Sequence, residues 1–183
     1  MIINSNFFLK SIFIFSLLTT VSSCKKTGEK KSKVVYNDPH KYYTVIEKNN
    51  NNVKNLFLEI KSKKTSDDCR KLISTLKENI VKSLNIYYSI KLNMDDYGLK
   101  DTYLNQMRFY EKQGLKYIIQ IVDIKQELEI LAENDLEFSK SLNEEYKKIK
   151  EILYLKELEG SEDIEKVKRN FLKKYNIAEQ NTK

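Results

Sequence analysis

Few side chains in this sequence of 183 residues could make or break a bond: one histidine, His40, and two cysteines, Cys24 and Cys69. A nucleophile needs a base beside it, and a three-histidine or cysteine–histidine metal site needs several ligands at fixed spacing. A lone imidazole supplies neither. The Glu-x-x-His pairs of di-iron bundles, a Cys-x-x-Cys-His haem attachment and a glycine-rich phosphate loop are all missing from the sequence. Asp95, Asp96 and Asp101 crowd together without the spacing of a calcium loop, so they read as a polar turn. His40, in the first turn of an expected helix, reads as a surface residue. The residues therefore point to no metal, no cofactor and no enzyme. What they do offer is a covalent chemistry of another kind, at Cys24.

Met1–Lys10 carries a single charge and leads into the apolar stretch Ser11–Leu18, which fades through Thr19, Thr20 and Val21. A spanning helix needs roughly 20 apolar residues and an export-signal core roughly 7 to 15, so this stretch fits an export signal. The quartet Val21, Ser22, Ser23, Cys24 resembles the bacterial lipobox: a branched apolar residue, two small residues, then cysteine. The resemblance implies cleavage between Ser23 and Cys24, with diacylglycerol on the Cys24 thiol. Each buried methylene contributes about 0.8 kcal/mol, so the two or three acyl chains of a mature lipoprotein hold firmly. Cys69 is then the only thiol left and cannot form an intrachain disulfide. It falls in helical register with Ile73, Leu76 and Ile80, as a small core residue would.

The formal net charge of +7 invites a nucleic-acid reading until the charges are located. Lys10 leaves with the signal; Lys25, Lys26, Lys30, Lys31 and Lys33 against Glu29 place +4 in the stretch from Cys24 to Lys33. The folded part stays near +2, which lacks the basic face that nucleic acid requires. Residues 24–35 read as a flexible basic tether with slack from Gly28 and Ser32, and its lysines also suit anionic headgroups.

The remainder, residues 36–178, predicts an all-α domain, an antiparallel up-and-down bundle of four to five helices, with a disordered tail over 179–183. Four glycines and one proline leave little punctuation, and no regular alternation favours sheet. A first helix is expected from Pro39 with Asp38 as cap, a second after Thr65 or Ser66, and a loop over Lys91–Lys100. A third helix is expected from Asp101, with the seam Tyr103, Met107, Tyr110, Gly114, Tyr117, Ile121, Ile124, Leu128 and Leu131. A break is expected between Ile124 and Asp135. A fourth helix follows with Phe138, Leu142, Tyr146, Ile149, Ile152 and Leu155 on one side, Gly160 and Ser161 punctuate it, and a fifth ends near Tyr175. The run Asn49–Asn52 interrupts the first apolar face, as a local kink or as compositional drift.

Most of the twelve tyrosines fall on these stripes, but neighbours on a helix cannot both face one core. One of Tyr42 and Tyr43, and one of Tyr87 and Tyr88, are therefore expected at the surface as a recognition patch. The start Tyr36, Asn37, Asp38, the stretch Met107, Arg108, Phe109, Tyr110 and the ending Phe171 to Asn176 resemble a family of small helical surface lipoproteins from spirochaetes and Bacteroidetes. The resemblance implies a helical surface lipoprotein and carries over no catalytic residue. The expected function is a non-enzymatic interaction domain, exported and lipid-anchored at the outer membrane or cell surface. Its expected partners are the membrane, through the lipid, and an envelope or extracellular protein. The alternative is a carrier holding a small apolar ligand in the core among Met107, Tyr110, Gly114 and Tyr117.

Overall fold

The computed structural model describes residues 33–131 and 136–178. The export signal, Ser23 and Cys24, most of the tether, the expected cap at Asn134 and Asp135, and the C-terminal tail lie outside the described residues. Five helices, α1 (Pro39–Ser62), α2 (Ser66–Ser89), α3 (Leu99–Phe109), α4 (Leu115–Ile130) and α5 (Leu136–Tyr175), form an all-α up-and-down bundle. A π-helical turn, Tyr110–Gly114, joins α3 to α4 through helical backbone on both sides, so the pair acts as one rod.

Local chemistry sets the helix starts. The Asp38 carboxylate accepts from the His40 and Lys41 amides at 2.9 and 3.3 Å, and Pro39 opens α1 where a missing N–H costs nothing. At α2 the Thr65 hydroxyl accepts from the Asp68 amide at 3.2 Å, and Asp67 and Asp68 complement the helix dipole. Glu129 of α4 adds a second cap there, accepting from the Ser66 amide at 2.7 Å and the Ser66 hydroxyl at 2.5 Å. These two donors hold the Glu129 carboxyl below its usual range. The third helix starts at Leu99, ahead of the expected Asp101, because Gly98 at φ 77° turns the chain and lets Leu99 enter the core fully buried. At Leu131 the backbone leaves the helix, inside the expected break.

Three features correct the expectations. A small parallel sheet exists: β1 (Val34–Tyr36) pairs with β2 (Ile90–Leu92), in register Val34 with Ile90 and Tyr36 with Leu92. Val34 and Val35, expected in the tether, are strand residues, and Lys91 and Leu92, expected in the loop, belong to β2. The Asn run does not break the first helix. The α1 helix continues through it, with Asn49 and Asn50 buried, the Asn49 amide donating to the Val45 carbonyl at 2.7 Å and Ser83 of α2 donating to the Asn49 carbonyl at 3.3 Å. Gly160 does not punctuate, for α5 is one helix of 40 residues.

The π turn explains where the seam goes. Tyr103, Met107, Tyr110, Ile121 and Ile124 are buried as expected, but a π turn takes in one extra residue, and beyond Gly114 Ile118 takes the inward place of Tyr117 while Val122 joins Ile121 in the core. Tyr117 is left half-buried. Gly114 itself marks a close approach: a Cβ there would stand 3.0 Å from Phe57 Cζ and 3.1 Å from Tyr110 Cδ1, and its absence lets the two rings stack at 4.4 Å. On α5 the buried stripe runs Leu142, Ile149, Leu153, Ile164 and Phe171, whereas Phe138 and Leu155 are exposed.

Candidate functional site

Of the tyrosine pairs expected to offer a surface, only Tyr88 does, at 54 % exposure. Arg108 of α3 covers part of it, with Nε donating to the phenol oxygen at 3.2 Å and the guanidinium carbon 5.7 Å from the ring centroid. Tyr42 and Tyr43 are both buried, because two different elements cover the start of α1. Tyr42 meets the edge of Tyr36 at 5.8 Å and donates to Asp96 Oδ2 at 2.8 Å, while Tyr43 stacks on Phe171 of α5 at 6.3 Å. Tyr87 is buried and donates to the Ile46 carbonyl at 2.9 Å, fastening α2 to α1.

A polar cluster sits where α1, α3 and α5 meet. Glu47 accepts from the Tyr103 hydroxyl, and its other oxygen lies 3.8 Å from Lys168, which also reaches Glu165 at 3.5 Å. Burial first, and then the Glu47 charge, drive the Tyr103 phenol far above its ordinary value. Burial pushes Tyr110 up to about 12. Beside the cluster, Asn50 Oδ1 is a buried acceptor with no partner among the described residues, in a cleft of about 40 Å³ also lined by Gln106, Tyr110 and Ser161. That is room for one water.

The residues with chemical potential are given to structure. Asp95 accepts from the Tyr97 amide at 2.8 Å, and Asp96 accepts from Gly98 at 3.1 Å as well as from Tyr42. The Cys69 thiol is fully buried and donates to the Ile60 carbonyl at 3.4 Å. His40 is exposed in the first turn of α1. Among the described residues no three His, Cys, Asp or Glu side chains gather as metal ligands. The core region named for an apolar ligand is filled, since Phe57 lies against both Tyr110 and Gly114, and Met107 is fully buried.

Another exposed surface, unmarked by any periodicity in the sequence, lies at the end of the bundle where β1 begins. Val34, Val35 and Met94 are 51, 53 and 44 % exposed there, and Tyr97 is 39 % exposed. Tyr97 lies at φ 52°, a left-handed conformation that costs a residue with a Cβ roughly 1–2 kcal/mol. Its ring meets Tyr175 at 6.0 Å, Lys174 lies 6.0 Å from its centroid, and Tyr175 donates to the Asp95 carbonyl at 2.6 Å. The side of the bundle has a second exposed group. Lys61 of α1 bonds Glu157 of α5 at 2.6 Å; Leu58, a turn before Lys61, is 51 % exposed, and Tyr154 and Leu158, a turn apart on α5, are 60 and 42 % exposed. The apolar run around Tyr154 was visible, but which side of α5 it occupied depended on Leu153 being the buried member. No helix of the described residues is long and apolar enough to cross a membrane. Comparison with protein-family models, with curated proteins and with solved structures finds no match.

Proposed function

We propose that this chain is a non-enzymatic, lipid-anchored protein of the bacterial envelope whose helical domain binds an envelope or extracellular protein. The observation that carries the reading is the quartet Val21, Ser22, Ser23, Cys24 behind an export-signal core, ten residues ahead of a folded domain that begins at Val34. The filled core and the structural use of Cys69, Asp95 and Asp96 support a binding role over a carrier role. Tyr154 and Leu158, exposed a turn apart on α5, support a protein-facing side, since neighbouring exposed apolar groups mark contact surfaces.

Two measurements test it. Intact mass of the native product is expected to show cleavage before Cys24 and added acyl mass, and Cys24→Ser is expected to leave the membrane fraction; an unmodified N-terminus would remove the anchoring reading. A photo-crosslinking residue at Tyr154 is expected to give one discrete adduct in intact cells, where the same residue at Lys77, on the outer face of α2, gives none. Equal, diffuse labelling from both sites would remove the binding reading.

A further inference from the structure

The end of the bundle that carries β1 has the composition of a surface that lies on a lipid bilayer, and we propose that it docks there on anionic headgroups. The inference rests on the anchoring reading above and goes beyond it: the lipid fixes the chain to the membrane, and this end face fixes the orientation of the domain. Cys24 to Lys33 is ten residues, which reach about 35 Å at most at roughly 3.3–3.6 Å per residue. Val34 therefore never leaves the neighbourhood of the bilayer. The α1 helix starts at this end and its 24 residues rise about 36 Å at ~1.5 Å each, so the turn between α1 and α2 stands a bundle length away when the end face is seated.

The chemistry of the face suits the headgroup layer. Val34 and Val35 leave the tether exposed on a strand whose register sets Val35 beside Lys91, also exposed. Met94 and Tyr97 project from the following loop, and Lys173 and Lys174 border Tyr97 in an open notch completed by Asn170. Tyrosine rings concentrate at the level of headgroups, and lysine stems bury their methylenes while the ammonium stays among phosphates. Counting the strands, the 93–98 loop, the Asp38 cap, Lys33 and the terminal turn of each helix at this end, six lysines stand against Asp38, Asp95, Asp96 and Asp101, a net of +2. Lys25, Lys26, Lys30, Lys31 and Glu29 in the tether add +3 immediately ahead of it. The left-handed backbone at Tyr97, held by the Asp95 and Asp96 turns, keeps that ring outward beside Lys174 instead of folding it into the core.

The chain contains no tryptophan, so one introduced residue reports its own surroundings. Full-length acylated Met94→Trp is incorporated into vesicles of phosphatidylcholine and phosphatidylglycerol with brominated acyl chains, next to Ile130→Trp, whose parent side chain is 72 % exposed at the other end. The expected result is quenched, blue-shifted emission from Trp in place of Met94 and none from Trp in place of Ile130. Salt or pure phosphatidylcholine should weaken the signal, and each of Lys91→Glu, Lys173→Glu and Lys174→Glu should lower the docked-to-undocked ratio by about fivefold or more. Unquenched Met94→Trp on vesicles that still float the protein overturns the docking and leaves the anchor standing. If mass spectrometry finds no acyl groups, the anchoring reading falls, and salt-dependent quenching of the unacylated Met94→Trp chain by the same vesicles then decides the docking: present, it stands alone; absent, it is overturned.

Discussion

Gly160 lies where α5 crosses Gln106, and a methyl group there would occupy the space of the Gln106 carboxamide. Alanine in place of an interior helical glycine ordinarily gains about 1 kcal/mol, but here the Gln106 carboxamide, the free end of a flexible side chain beside an open cleft, has to swing aside. Gly160→Ala is therefore expected to gain less than about 1 kcal/mol, and the full amount once Gln106→Ala has cleared the space. Urea denaturation of the four proteins checks this, and strictly additive effects would remove the close-approach explanation. The cluster at Glu47 makes a second residue-scale contrast. Tyr103→Phe takes a donor from a partly buried carboxylate and is expected to cost about 1–2 kcal/mol in the same assay. Tyr88→Phe, at an exposed ring, is expected to change stability by less than about 0.5 kcal/mol.

At the scale of elements, the π turn couples sequence length to side-chain direction. Deleting the exposed Lys112 would remove the extra residue, so that Tyr110–Gly114 closes as ordinary α-helix while Ile118, Ile121 and Val122 keep facing the core. The deletion is expected to keep cooperative unfolding, and Lys112→Ala, which keeps the count, should leave the urea midpoint unchanged; a deletion variant that no longer unfolds cooperatively would contradict the assigned role of the turn. Asp38→Ala is expected to cost about 1 kcal/mol through loss of the α1 cap, measured the same way. These elements also show what a reader of the residues could see. The starts at Pro39 and Ser66 were legible because a cap and its amides are neighbours in sequence. The change beyond Gly114 was not, since Tyr117 continues the regular spacing and only the π turn beside the stacked Phe57 and Tyr110 puts Ile118 inward in its place. Gly160 carried the local signature of a helix end, but its reason lies on another helix. The strands were invisible because three residues hold no periodicity and each finds its partner across two intervening helices. For the candidate surface, Tyr88 was legible and Tyr42 with Tyr43 was not, because covering both requires β1, α5 and the loop at Asp96 to arrive from elsewhere.

The whole molecule is sealed by phenols, and that sets its behaviour in base. Tyr42, Tyr87, Tyr103 and Tyr110 all have their ionisation pushed upward, chiefly by burial, Tyr110 to about 12. The fold binds those protons more tightly than the unfolded chain, whose phenols titrate near ~10, so this part of the stability is complete below about pH 10 and is lost as pH rises from there through the folded-state values. Tyrosinate absorbance is expected to climb for the buried rings only in step with loss of helical circular dichroism; full ionisation with the helices intact would contradict the sealing. The β1–β2 pair gives the same molecule a mechanical property. Tension on the chain ahead of Val34 runs along the axis of β1 and loads its ladder with β2 in shear, the geometry in which the bonds resist together instead of opening one after another. Part of the force passes on through Asn37 and Asp38 into α1, and part crosses to the corner between α2 and α3, so a tug at the N-terminal side is divided between two separate helix ends.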